Sequence, residues 1–319
     1  MIVTPAAPHA DNRAAPRPAP NADSRITANL LCMASMLVWA TAFPAVDMLI
    51  GHIAPLPLTA ARLAVAVLFL LPLWLWWEGR AALARANWVK GALIGSVGFG
   101  VGALLLVMAQ QRSDAVTVAV ITATMPVIGI AMECLLDGRR LTGALVAGLV
   151  LSIGGGIAAY MARLGGFGLG IGAGLALAST ILFSWGSRAT IIGFPDLTPL
   201  GRTTVTLAGA ALGTILLSAG LTLAQGDGGV AWAELGWREG LALVIYGVGS
   251  MAISQLLWIV GVGRLGIGIA SMHINAAPFY VMSFMALLGH AWNGGQALAA
   301  LVVAAGVLVA QSGGKRAPD

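Results

Sequence analysis

Charge is the scarcest property of this chain. Only 9% of its 319 residues are Asp, Glu, Lys or Arg, against roughly 25% in soluble domains. A water-facing surface cannot be built from so little charge, so a soluble globular fold is excluded for most of the sequence. Hydrophobic residues make up 59% and mean hydropathy is +0.91, which leaves lipid as the surrounding solvent. Cysteine is nearly absent too. Cys32 and Cys134 both sit in apolar segments, which argues against a disulfide framework and shows no metal-ligand spacing. They read as small core-filling side chains. The net charge of +5 lies in short loops and tails, where it sets membrane orientation rather than binding nucleic acid. No cofactor is expected.

The first 28 residues hold no apolar stretch and lack the basic-then-apolar order of a signal peptide. They read as a disordered cytoplasmic tail, residues 1–28. From residue 29 onward the chain is greasy almost throughout. Ten segments approach the roughly 20 residues that a hydrocarbon core demands: 29–50, 57–77, 91–111, 115–136, 142–161, 171–193, 199–222, 239–261, 266–289 and 295–311. The fold class is thus an all-α polytopic membrane protein. Glycine reaches 43 residues, and small residues let helix backbones approach closely where no hydrophobic drive exists between helices. With the N-terminus inside, twelve loop and tail Lys and Arg fall on one side against Arg112, Arg163 and Arg238 on the other. By the positive-inside rule both termini are cytoplasmic, in a multi-pass protein of a bacterial inner membrane.

The sequence repeats itself. RSDAVTVAVITATMP (112–126) and RLGIGIASMHINAAP (264–278) lie 152 residues apart. Trp88-Val-Lys-Gly91 answers Trp237-Arg-Glu-Gly240, and LTAAR (58–62) answers LTPLGR (197–202). The pattern predicts two five-helix units, 29–161 and 171–311, with a cytoplasmic tail at 312–319. Five being odd, the second unit enters the membrane from the opposite side. Inverted repeats of this kind build secondary transporters, with substrate bound near the midplane.

On these residues the chain resembles the drug/metabolite transporter superfamily, in particular its ten-helix EamA-type members. Trp39-Ala-Thr-Ala-Phe-Pro44 is similar to the family's Trp-Gly-x-x-x-Pro, and Arg62 opens the second helix as in that family. Pro126 and Pro278 stand in the fourth helix of each unit, and the glycine-patterned helices 142–161 and 295–311 come after them. The resemblance covers roughly 29–311. It departs where the family carries Gly-Glu: here Asp137-Gly138 and Gly289-His290 occupy those places. The resemblance implies export of small metabolites, most like the exporters of aromatic and other neutral amino acids. Multidrug or cationic-compound export, nucleotide-sugar-like transport and, more distantly, a channel are the alternatives.

Polar or aromatic side chains that interrupt apolar helices mark a pathway, because such groups are costly in lipid. Trp39 and Phe43 share a helix face, and Thr122 places a hydroxyl near a kink. Tyr246, Ser250, Ser254 and Trp258 form a stripe flanked by Gln255. Trp185, His273 and Asn275 complete the expected substrate-binding set. Pro44, Pro126 and Pro278 are expected hinges, since proline removes a helix hydrogen bond. Arg188 is a candidate partner for a substrate carboxylate, and Asp47 is expected to pair with Arg62. Expected partners are the bilayer and a small solute, in a monomer or weak homodimer.

Two letter-perfect motifs fail on context. GVGRLG (261–266) and GLGIGA (168–173) have no strand before them and no βαβ unit, so a dinucleotide site is excluded. An intramembrane protease needs a nucleophile beside a base or two facing aspartates; His273 is the one deep histidine and no two aspartates are both deep. The chain is not expected to be an enzyme.

Overall fold

The computed structural model describes residues 22–136, 170–226, 228–265 and 267–312, together with 142–144, 146–148, 150–151, 154–155 and 158. Among them every regular element is helical, apart from one isolated antiparallel bridge between Ile53 and Val230. Among the described residues, seven helices are long and apolar enough to cross a membrane: Ile26–Leu49, Pro55–Arg85, Trp88–Arg112, Ala115–Leu136, Ile171–Gly193, Pro199–Gln225 and Trp237–Leu265. The chain is an all-α polytopic membrane protein.

The expected count of ten spans is not reached by this measure. The segment expected at 266–289 is interrupted, running as Ile267–Ala270, a 3-10 stretch Ser271–Ala276, and Ala277–Leu287. The last helix, Gly294–Ser312, contributes a shorter apolar stretch, Gly294–Gly306. The expected fifth helix, 142–161, lies largely outside the described residues, as do 1–21 and 313–319 of the expected tails. The first helix starts at Ala22, earlier than the expected tail boundary, because no proline comes after Pro20 to stop it.

Local chemistry explains the helix ends. The Asp114 carboxylate accepts from Thr117 N at 3.0 Å, and Thr198 Oγ1 accepts from Gly201 N at 3.1 Å ahead of Pro199; both are N-caps, the second with proline at the first helical position. Gly226, at φ 75°, ends the Pro199–Gln225 helix in the left-handed conformation. Two spans widen into π-helix midway, at Gly95–Val101 and at Ile245–Ile253. Such wide turns commonly accompany functional sites.

The Pro199–Gln225 helix packs on Pro55–Arg85 and on the first π-helix. Gly98 meets Gly186 backbone to backbone, so that a Cβ on Gly98 would lie 2.7 Å from Gly186 Cα. The outer faces are apolar, with Leu68, Leu223 and Leu241 exposed as lipid requires. Trp76 and Trp77 near one membrane face, and Trp232 and Trp237 near the other, are exposed in the manner of interfacial aromatic belts.

Candidate functional site

At the centre, helices from both halves of the chain close on a small chamber. Its walls include Met36, Trp39, Leu106, Thr122, Met125, Ser179, Thr180, Phe183, Ser254, Gln255, Trp258 and Ile274. The structure therefore brings together Trp39, Thr122, Ser254 and Trp258 of the residues expected from sequence. Ser179, Thr180 and Phe183 were missed. Their segment, GLALASTILFSWGSR, carries small and hydroxyl residues at many positions, so nothing local singles out one face.

The chamber encloses only about 40 Å³. That is room for a few waters at about 10–15 Å³ each, and far below the roughly 150 Å³ that admits benzene. In this conformation it is too narrow for an amino acid.

Hydrogen-bond accounting shows what the walls can offer. Thr122 Oγ1 donates to Ala119 O at 2.8 Å, Thr180 Oγ1 to Ala176 O at 2.7 Å, and Ser179 Oγ to Gly102 O at 2.7 Å. Ser254 Oγ donates to Ser35 O at 3.0 Å, and Ser35 Oγ returns a bond to Ser254 O at 2.8 Å. Trp258 Nε1 donates to Ser187 Oγ at 3.2 Å. These hydroxyl protons are spent on protein, leaving oxygen lone pairs as acceptors. The exception is Gln255, 4% exposed, whose Nε2 has no partner. Among the described residues, no lining side chain carries a fixed charge.

The Tyr246–Trp258 stripe divides in two. Its upper part serves Arg62, which is 1% exposed. The guanidinium lies 4.0 Å from the Tyr246 ring centroid, donates to Tyr246 Oη at 2.9 Å and to Ser250 Oγ at 3.4 Å. Ser250 Oγ itself donates to Tyr246 O at 2.7 Å. The expected Asp47–Arg62 pairing is thereby corrected: Arg62 turns to the second half of the chain, while Asp47 Oδ1 accepts from Gln110 Nε2 at 2.6 Å. Gln110 also donates to Phe43 O at 2.8 Å.

Several other expected ligands stand away from the chamber. Phe43, 2% exposed, packs edge-on against Trp39 with centroids 5.0 Å apart. Trp185 packs instead with the cluster of Trp74, Ile94 and Phe194. Arg188 is half-buried on the same helix and is not among the lining residues. His273 Nδ1 donates to Ala270 O at 3.0 Å, and Asn275 Oδ1 is buried without a partner. Both flank Ile274, which does line the chamber. Each expected hinge proline sits just after a helix break: Thr41 before Pro44, Ala123 and Thr124 before Pro126, and the 3-10 stretch Ser271–Ala276 before Pro278.

Beyond the chamber lies a second, larger cavity of about 420 Å³, lined by Asp47, Ser113, Asp114, Val116, Met282, Met285, His290, Trp292, Asn293 and Gln296 among others. Along the fourth span, Val116 and Thr122 are six residues apart, about 9 Å at 1.5 Å per residue. Phe43, Val118, Val120, Ile121 and Val281 are buried in one apolar cluster.

Comparison with known proteins bears on the first half of the chain and on the fold. Residues 26–161 match the EamA-like transporter family. That match spans under half of the chain and makes this part of it similar to a family of membrane transporters. The EamA-like segment supplies Trp39, Thr122 and Arg62, whereas Ser254, Gln255 and Trp258 lie outside the matched residues. A crystal structure of another protein is similar with a TM-score of 0.68 at 24% identity, over 92% of this chain and 98% of that one. At that identity the likeness shows the fold alone. No curated protein matches the chain significantly.

Proposed function

We propose that this EamA-like transporter exports small neutral or zwitterionic solutes, with aromatic and other neutral amino acids as the leading class. The observation that carries the reading is the chamber itself. Trp39, Phe183 and Trp258 offer ring faces for an aromatic side chain. Hydroxyl oxygens can accept from an ammonium, and Gln255 Nε2 can donate to a carboxylate. The absence of fixed charge among the described lining residues disfavours a phosphorylated substrate and gives a permanent cation no counter-charge there.

Alternating access is the mechanism that suits so narrow a chamber. A chamber of about 40 Å³ must open to admit an amino acid, and the breaks beside Pro44, Pro126 and Pro278 are the pivots we assign. Two inverted five-helix repeats, with both termini cytoplasmic, would let one chamber face either side. The reading is supported by the π-helices at corresponding places in the third and eighth segments, and by the breaks preceding Pro126 and Pro278.

The test is efflux from liposomes containing the purified chain, preloaded with labelled phenylalanine, other neutral amino acids, cationic dyes or sugar phosphates. Amino acids should leave faster than from protein-free liposomes, and Trp39→Ala or Ser254→Ala should slow them. Movement of dyes or sugar phosphates alone would overturn the reading.

A further inference from the structure

We propose that the seam between Ala28–Ser35 of the first span and Ser254–Gly261 of the Trp237–Leu265 span stays shut while solute crosses, so that Trp39 and Trp258 belong to one fixed wall of the chamber. The inference deepens the transport reading and rests on it. Two buried serines join the helices. Ser35 Oγ donates to Ser254 O at 2.8 Å and Ser254 Oγ to Ser35 O at 3.0 Å, at 0% and 3% exposure. Parting the helices would strip both bonds at once beside the apolar cluster of Cys32, Met36, Trp258 and Ile259, and a buried donor left without a partner is costly. Seven residues beyond Ser254, about two turns, Gly261 lies against Cys32: a Cβ at 261 would fall on Cys32 Sγ. Ala28, Cys32 and Ser35 are all fully buried and share one helix face by their spacing.

A second seam of the same kind joins Trp88–Arg112 to Ile171–Gly193. Ser179 Oγ donates to Gly102 O at 2.7 Å, and Gly98 meets Gly186 backbone to backbone. In each seam a helix of one half meets a helix of the other through glycine and a hydroxyl-to-carbonyl bond. Small residues bring the backbones together, and contacts packed that closely have no slack for sliding. The described lining residues outside these four helices are Thr122, Met125 and Ile274. All three stand at helix interruptions, the turn at Ala123–Thr124 and the 3-10 stretch Ser271–Ala276. Interruptions of the hydrogen-bond ladder are where helices bend, so opening falls to these segments. The break at Thr41 lies beyond Trp39, outside the seam.

The test locks the seam. In a Cys134→Ser chain, Gly261→Cys would place its Cβ 3.8 Å from the Cβ of Cys32, the usual spacing across a disulfide. Copper phenanthroline should oxidise the pair, as counted by thiol tagging after denaturation. Phenylalanine efflux from liposomes should then keep most of the rate of the reduced form. Efflux lost on oxidation and restored by dithiothreitol would overturn the proposal, as would a monodisperse preparation whose pair does not oxidise. No efflux from the unsubstituted chain would overturn the transport reading instead, and a second readout judges the seam without transport. In lipid nanodiscs, N-ethylmaleimide should label Thr122→Cys, made with Cys32 and Cys134 replaced by Ser, about tenfold or more faster than native Cys32 in the Cys134→Ser chain. Buried sites react only as fast as the structure around them opens, so a smaller difference would overturn the proposal.

Discussion

Arg62 shows how one residue is kept charged inside an apolar core. A guanidinium at 1% exposure is expensive unless its donors are met. Tyr246 meets it twice, through its hydroxyl and its ring face, and Ser250 adds a longer bond, while Nε is left buried without a partner. Removing the hydroxyl with Tyr246→Phe should cost about 1–3 kcal/mol, the penalty of a newly unpaired buried donor. Adding Arg62→Met should recover part of that loss, since an apolar replacement has no donor to satisfy. Thermal unfolding in detergent checks both; a wild-type midpoint for Tyr246→Phe would count against the pairing. Gln255 makes the opposite case. Its Nε2 is buried without a partner, so Gln255→Leu should hold or raise the unfolding midpoint. The same change should weaken substrate affinity by roughly three- to tenfold, one hydrogen bond's worth. Unchanged affinity would remove Gln255 from the site.

Among the helices, packing and bending are set by small residues and prolines in different places. The π-helix Gly95–Val101 lets Gly98 touch Gly186, and a larger side chain there has nowhere to go. Gly98→Val should cost about 1–3 kcal/mol by overpacking, read as a lowered midpoint or loss of a monodisperse peak in size-exclusion chromatography. The breaks beside Pro126 and Pro278 concern motion instead. Pro126→Ala restores a donor toward the Thr122 carbonyl, adding about 1 kcal/mol of helix hydrogen bonding. Efflux should slow about fivefold while equilibrium substrate affinity stays level; an unchanged rate would locate the pivot elsewhere.

The assembled bundle has two aqueous recesses at opposite ends of its spans: the Asp47–Asp114 vestibule, and a groove of about 350 Å³ beside Arg85, Lys90 and Asp196. In a background with Cys32 and Cys134 replaced by Ser, Trp292→Cys and Lys90→Cys should react with a membrane-impermeant thiol reagent from opposite faces of oriented vesicles. Labelling of both from one face would refute the arrangement.

The contrast between Phe183 and Trp185 shows why the site was only partly legible. Two residues turn a helix by about 200°, so Phe183 faces the chamber while Trp185 faces Trp74. Both neighbourhoods are apolar, and a helix that is hydrophobic all round announces no inner face. The Tyr246–Trp258 stripe was visible as a period, yet its π-helical first part delivers Tyr246 and Ser250 to Arg62. Residue order alone dictates the lipid environment, the helical class, the caps at Asp114 and Thr198, and the places where proline breaks a helix. Each of these follows from composition or from covalent geometry within a few residues. Helix-on-helix packing had to establish that Arg62 meets Tyr246 rather than Asp47, that the chamber is narrow, and that Asp47 and Asp114 share a cavity. Those outcomes depend on how far each helix is rotated about its axis, which is fixed by contacts between segments distant in the chain.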